Sequence, residues 1–183
     1  MQKNLENTEL AIGEHAPYFS LPGTDGRIYS LSSFGSPKAL VIIFTANHCP
    51  HSQAYEEKLV ELAKTFQPKG VQFLAICAND PVAFPEDNFE RMVEKSRELA
   101  LPFPYLYDEE QVAAKAFDAA CTPEVYLFDA KLRLQYHGSI DDDPRNSKTN
   151  STHYLREAIV SVLAGEFPKT PLTPVIGCSI KWK

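Results

Sequence analysis

Apolar positions along this chain follow two rhythms that take turns. Within Ala39–Thr45, ALVIIFT, the residues up to Phe44 form an unbroken apolar run rich in β-branched residues. It does not alternate, which predicts a strand buried on both faces. Tyr55, Leu59, Leu62 and Phe66 then stand at i, i+4, i+7 and i+11. That single stripe predicts a helix running from Ser52 until Pro68 and Gly70 end it. Val71–Ile76 predicts a second buried strand, with Cys77 at its end. Residues 78–88, ANDPVAFPEDN, are rich in Pro and Asp and predict a loop. Phe89–Leu99 and Glu109–Phe117 predict helices, with a short apolar segment, Phe103–Tyr107, between them. Glu124–Phe128 and Leu132–His137 predict a hairpin around Asp129-Ala130-Lys131. Asp141–Ser151 predicts a solvated loop. Leu155, Ala158, Ile159, Val162 and Leu163 make an amphipathic helix that Gly165 closes.

The ends differ from this middle. Residues 1–14 read as a loose arm. Residues 16–34, APYFSLPGTDGRIYSLSSF, read as two extended segments around a Gly-Thr-Asp-Gly turn, a hairpin signal. Residues 166–183, EFPKTPLTPVIGCSIKWK, are too Pro-rich for helix and predict an extended tail over the surface. The organisation is therefore an arm (1–14), one domain (15–165) and a tail (166–183). Strands alternating with helices demand an α/β fold with a sheet covered on both faces, and the closing hairpin makes that sheet mixed.

Composition narrows the class. At 183 residues with 44% hydrophobic content the chain can bury a core of its own. A net charge of −6 argues against nucleic acid and anionic membrane as partners. The longest apolar run is far short of a membrane span, and MQKNLENTEL has no apolar signal core, so the reading is a cytoplasmic protein. Four cysteines stand at 49, 77, 121 and 178. No pair is spaced as Cys-x-x-Cys, which excludes the usual structural zinc site, and the density is too low for a disulfide scaffold. Redox chemistry or inert buried thiols remain.

The candidate chemistry sits where the first buried strand stops, in the turn Thr45-Ala46-Asn47-His48-Cys49-Pro50. A cysteine at the start of a helix meets unpaired N–H groups and a positive partial charge, and both favour the thiolate. The thiolate is the form that attacks peroxides and disulfides. The plainer alternative is a buried, inert helix cysteine. Asn47 is the natural candidate to cap the helix. His48 either lends charge to Cys49 or is an exposed turn histidine. His48, Cys49 and His51 lack a second ligand pair, so neither a metal nor another cofactor is expected.

These features together resemble the thioredoxin superfamily, and more narrowly its peroxiredoxin-like (AhpC/TSA-type) branch, over about residues 13–165. APYFSLPGTDGRIYSLSSF is similar to the N-terminal extension of that branch, ALVIIFTANHCP to its strand and active-site turn, and Thr122-Pro123 before EVYLFD to its Thr-Pro with a cis proline. YHGSIDDDP and GCSIKWK resemble a sub-branch with an Asn-His-Cys-Pro turn. The resemblance implies a thioredoxin-like fold: a central mixed β-sheet flanked by helices, with an N-terminal β-hairpin extension. It implies Cys49 as the catalytic thiol, and Thr122 and Pro123 as main chain that pairs with an incoming extended peptide. The chain also departs from the pattern. Ala46 stands where a thioredoxin has its first cysteine. Ile42 and Ala46 stand where a peroxiredoxin has the Pro and Thr of Pro-x-x-x-Thr-x-x-Cys, and Thr45 is one place out of register. Arg133 is the candidate for the active-site arginine of that branch.

With no cysteine at 46, a distant or external thiol has to resolve Cys49. Cys121, two residues before Pro123, and Cys178, on the tail, are the candidates; Cys77 at a buried strand end reads as inert. Ile180 and Trp182 could anchor the tail to the core or to a second subunit, which makes a homodimer one expectation. Three readings follow. The first is a thiol oxidoreductase acting on a hydroperoxide or disulfide, with an external thiol reductant. The second is a redox-inactive thioredoxin-fold binding module. The third is a monothiol exchanging with glutathione.

Overall fold

The computed structural model describes residues 10–144 and 147–183. Its centre is β3 (Ala39–Phe44), the non-alternating run, in which every residue is fully buried. Parallel pairing joins it to β4 (Val71–Cys77), with Ala39 opposite Val71 and Phe44 opposite Ile76. Antiparallel pairing joins it to β7 (Glu124–Asp129), with Ala39 opposite Asp129 and Phe44 opposite Glu124. β5 (Tyr105–Tyr107) and β8 (Leu134–Gly138) complete a sheet ordered β5-β4-β3-β7-β8. The fold is thioredoxin-like, a mixed five-stranded sheet flanked by helices.

Successive strand residues face opposite ways, so the sheet carries two cores. Val41, Ile43, Phe73, Val125 and Leu127 join one that takes in Leu59, Leu62 and Phe66 of α2 (Glu56–Phe66) and Leu155, Ala158 and Ile159 of α5 (Tyr154–Leu163). Leu40, Ile42, Phe44, Leu74, Tyr126 and Phe128 join the other. Phe117, just past α4 (Val112–Ala116), is central there, packing against Phe19, Phe44, Tyr126 and Phe128. The N-terminal hairpin pairs β1 (Ser20–Pro22) with β2 (Ile28–Ser30) and docks on β5 through Thr24 N–H to Tyr105 O at 2.9 Å.

Several expectations need adjusting. The helix expected from Ser52 is divided into α1 (Pro50–Gln53) and α2. α4 is shorter than expected because Asp108 takes the N–H groups of Val112 and Ala114, and Gln111 sits at φ 59°, which no α-helix accommodates. The 78–88 loop contains a 3₁₀ turn, Pro85–Asp87, ahead of α3 (Phe89–Glu98). Asp141 and Asp143 are not solvated. Asp141 accepts from Tyr55 Oη and pairs with Lys58, while Asp143 accepts the N–H groups of Ser147 and Lys148.

Of the arm expected over 1–14, residues 1–9 lie outside the described residues. The rest is not loose, for Leu10 is buried and Gly13 N–H donates to Leu134 O at 2.8 Å. The tail is extended but not merely superficial. Val175 and Ile180 are buried, and β9 (Cys178–Ser179) pairs antiparallel with β6 (Cys121–Thr122). Among the described residues no helix is long and apolar enough to cross a membrane.

Candidate active site

β3 ends at Phe44, and the ladder runs one bond further, from Thr45 N–H to Ile76 O at 2.9 Å. The chain then turns through Ala46, Asn47 and His48 into Cys49, which is the N-cap of α1 rather than a residue of its first turn. Pro50 occupies the first helical position, where a missing N–H costs nothing. Asn47 therefore does not cap the helix. All its polar groups hold the turn instead. Its N–H donates to Asp87 Oδ1 at 2.6 Å, its Nδ2 to Glu86 O at 2.8 Å, and its two oxygens accept from Gln53 Nε2 and Tyr105 Oη. His48 is not an exposed turn histidine. It stacks on Phe84 at 4.6 Å between centroids, and its Nδ1 pairs with Asp87 Oδ2.

Asp87 organises this turn and was not legible beforehand. It is fully buried, and besides Asn47 and His48 it takes the Asn79 amide at 2.8 Å. An Asp in a Pro-rich stretch ordinarily reads as a solvated turn residue. The only available hint was that PED immediately precedes Asn88, which caps α3.

Cys49 is fully buried. The Thr122–Pro123 bond is cis, and Thr122 O lies 3.1 Å from Cys49 Sγ. Cys178 stands opposite Thr122 in the β6–β9 ladder, close enough to Cys49 for each thiol to shift the other's pKa. Burial pushes the Cys49 pKa up, and the Thr122 carbonyl, an acceptor, also favours the neutral thiol. Four donors outweigh them and hold its pKa below the ordinary thiol value. These are the nearby Thr122 hydroxyl, the Cys178 thiol, and the N–H groups of Ser52 and Cys178. A four-residue helix has little macrodipole, so these individual donors replace the helix field as the cause. Cys178 moves the other way, up to about 11, through burial and then its bond to, and the charge of, Cys49. The two thiols thus divide the roles of anion and proton donor.

The other candidates take different places. Cys121 is buried in β6 with Ser179 as its register partner. Cys77 is buried at the end of β4, where burial and then the Asp87 charge push it up to about 12. Arg133 does not reach the site. It bonds Asp129 and Gly13, and Asp129 is opposite Ala39, the far end of β3 from the turn. His51 touches the pair only through its main chain, which tempers the upward shift of Cys178. Among the described residues no group of three His, Cys, Asp or Glu side chains is placed to hold a metal ion.

Residues 12–137 match the AhpC/TSA family. The chain belongs to that family. An uncharacterized conserved protein from Geobacillus kaustophilus is 44% identical, with a TM-score of 0.90 and coverage of 95% of this chain and 93% of that one. A hypothetical protein from Sinorhizobium meliloti 1021 is 37% identical, with a TM-score of 0.90 and coverage of 97% and 99%. The thiol-disulfide oxidoreductase ResA of Geobacillus thermodenitrificans is 27% identical over 130 residues, 71% of this chain and 70% of that protein. Family and relatives support thiol-based redox chemistry.

Proposed function

We propose that the protein is a thiol-disulfide oxidoreductase whose redox couple is Cys49 with Cys178, the tail replacing the cysteine that Ala46 lacks. One observation carries this reading: the β6–β9 ladder sets Cys178 opposite Thr122, whose carbonyl lies 3.1 Å from Cys49 Sγ, so the tail thiol sits beside the Cys49 turn. Cys49 thiolate attacks one sulfur of a substrate disulfide, and the first substrate thiolate leaves. Cys178 gives up its proton and attacks Cys49 Sγ in the mixed disulfide, expelling the second substrate thiolate. The substrate gains two electrons and the Cys49–Cys178 disulfide forms. An external thiol reductant then restores the pair, entering at Cys178, the less buried sulfur.

The turn supports a disulfide over a hydroperoxide, since Ala46 has no hydroxyl and Arg133 is at the wrong end of the sheet. The Thr122 hydroxyl beside Cys49, which meets no partner other than that thiol, favours a second reading. It can donate to a hydroperoxide while Cys49 attacks the terminal oxygen and the alcohol or water leaves. Cys178 then condenses with the sulfenic acid and releases water. Four free thiols suit a reducing compartment such as the cytoplasm.

The test is oxidation of the full chain by a small aromatic disulfide and by hydrogen peroxide, followed by peptide mapping. We expect a Cys49–Cys178 crosslink, turnover with dithiothreitol in the wild type, and a trapped mixed disulfide on Cys49 in Cys178→Ser. A crosslink to Cys121 moves the resolving role there. Trapping by glutathione alone favours the monothiol reading. No oxidation of Cys49 by either reagent leaves the binding module.

A further inference from the structure

The tail has two differently built parts. Residues 171–174 run beside β8: His137 N–H donates to Pro171 O at 2.9 Å, Thr173 N–H to His137 O at 3.1 Å, and Ser139 N–H to Thr173 Oγ1 at 2.9 Å. Val175 is buried, Ile176 is exposed, and from Gly177 the chain crosses the candidate site. There it is gripped by its main chain. Cys178 and Ser179 pair with β6, and Ile180 N–H donates to Ala120 O at 2.9 Å. Lys181 O accepts from Asp80 N–H at 2.8 Å and Gln111 Nε2 at 2.9 Å, and Lys181 N–H donates to Asn79 Oδ1 at 2.8 Å. Lys183 N–H donates to Gln111 Oε1 at 3.0 Å.

The side chains doing the gripping are buried and fixed by other bonds. Asn79 is held by Asp87 and Gln111 by Ala78 O. Recognition through the main chain does not depend on which sequence lies in the groove. Three positions of the segment are read most closely, while Lys181 over the Phe84 ring and Trp182 beneath Lys115 add looser contacts. At Gly177 a Cβ would stand 2.2 Å from Thr122 O, so nothing larger fits. Cys178 meets Cys49. Ile180 is buried in the core cluster around Phe117.

We propose that residues 177–183 are the resident ligand of a polypeptide-binding groove formed by Ala120–Thr122, Asn79, Asp80 and Gln111. A protein substrate takes the same groove after the tail lifts from it. The ligand is an extended segment of the order Gly-Cys-x-apolar, its cysteine at the place of Cys178. While the tail is seated, Cys49 is shielded and polypeptides are excluded. This deepens the disulfide reading and rests on it for the chemistry, but the binding itself needs no redox step.

The probe is a fluorescein-labelled peptide copying residues 174–183 with serine at the place of Cys178, measured by anisotropy under reducing conditions. Gly177→Val in the full chain clears the groove by collision with Thr122 O. Ile180→Asp clears it independently by placing a charge in the apolar slot. The tethered tail competes at an effective concentration on the order of millimolar, so we expect either variant to bind the peptide at least about tenfold more tightly than wild type. A peptide with valine at the place of Gly177 should not bind. Trp182, the one tryptophan in the chain, should become more open to acrylamide quenching in both variants. Equal peptide affinity in wild type and both variants overturns the proposal, as does no binding to either variant. Measuring disulfide turnover of the wild type and the two variants alongside the titration separates the two readings. Binding without disulfide turnover sinks only the enzyme, and turnover without binding sinks only the groove.

Discussion

β3–β7 and β6–β9 are both antiparallel pairs that meet beside Cys49, and they are built for opposite lives. The first joins six residues to six, all of β3 fully buried, with large side chains on both faces. The second joins two residues to two, and both tail residues remain half-exposed. Burial of aliphatic side chains gives the first pair its free energy, about 1.5–3 kcal/mol for each. Backbone hydrogen bonds, net about 1 kcal/mol each, dominate the second. A contact made mainly by main chain can be exchanged for another main chain at little cost, whereas an interlocked core cannot.

The largest effect should come from breaking the permanent half. Phe117→Ala removes a ring that four aromatic neighbours enclose. We expect a loss of about 3–5 kcal/mol in urea denaturation. Asp87→Ala comes next. It leaves the N–H groups of Asn47 and His48 and the Asn79 amide without their acceptor in a buried place, at a cost of about 3 kcal/mol. It should also slow Cys49 turnover by disordering the turn.

Cys178→Ala sharpens the exchangeable half. Cys49 loses a donor to its thiolate, so its pKa should rise. The midpoint of iodoacetamide labelling against pH then shifts upward, while urea stability hardly changes. In Cys49→Ala the shift runs the other way. With the neighbouring charge and acceptor gone, Cys178 should titrate below its present value of about 11. A Cys49 midpoint unmoved by Cys178→Ala would mean that the two sulfurs do not share a proton. Gln111→Asn should have the smallest effect. Asparagine tolerates the positive φ at 111 but is one methylene too short for Ala78, Lys181 and Lys183. We expect a loss of about 1 kcal/mol, read as faster amide exchange at Lys183, whose N–H loses its acceptor.

Most of the fold was legible because its elements are written locally. ALVIIF is too apolar to face water, and the 55/59/62/66 stripe has a helical period. Cys49 and the cis Thr122–Pro123 bond were legible from their turn and from a family resemblance. That Cys178 lies opposite Thr122, beside the Cys49 turn, was not legible, because a two-residue strand has no periodicity to read and its partner lies 56 residues back. Proline content disclosed that the tail is extended, but not what it lies against. The grip of Asn79 and Gln111 was invisible for the same reason, since amides that bind main chain leave no mark in the sequence they bind. Arg133 failed as a candidate because a lone arginine in a hairpin says nothing about which end of the sheet it occupies.

One carboxylate connects the two halves. Asp87 holds the main chain of Asn47 and His48 on one side and Asn79 on the other, and Asn79 in turn holds the main chain of Lys181. Turn and tail are therefore linked equilibria, and linkage is reciprocal. Whatever orders the turn raises the occupancy of the seated tail, and a polypeptide that evicts the tail weakens the turn by the same factor.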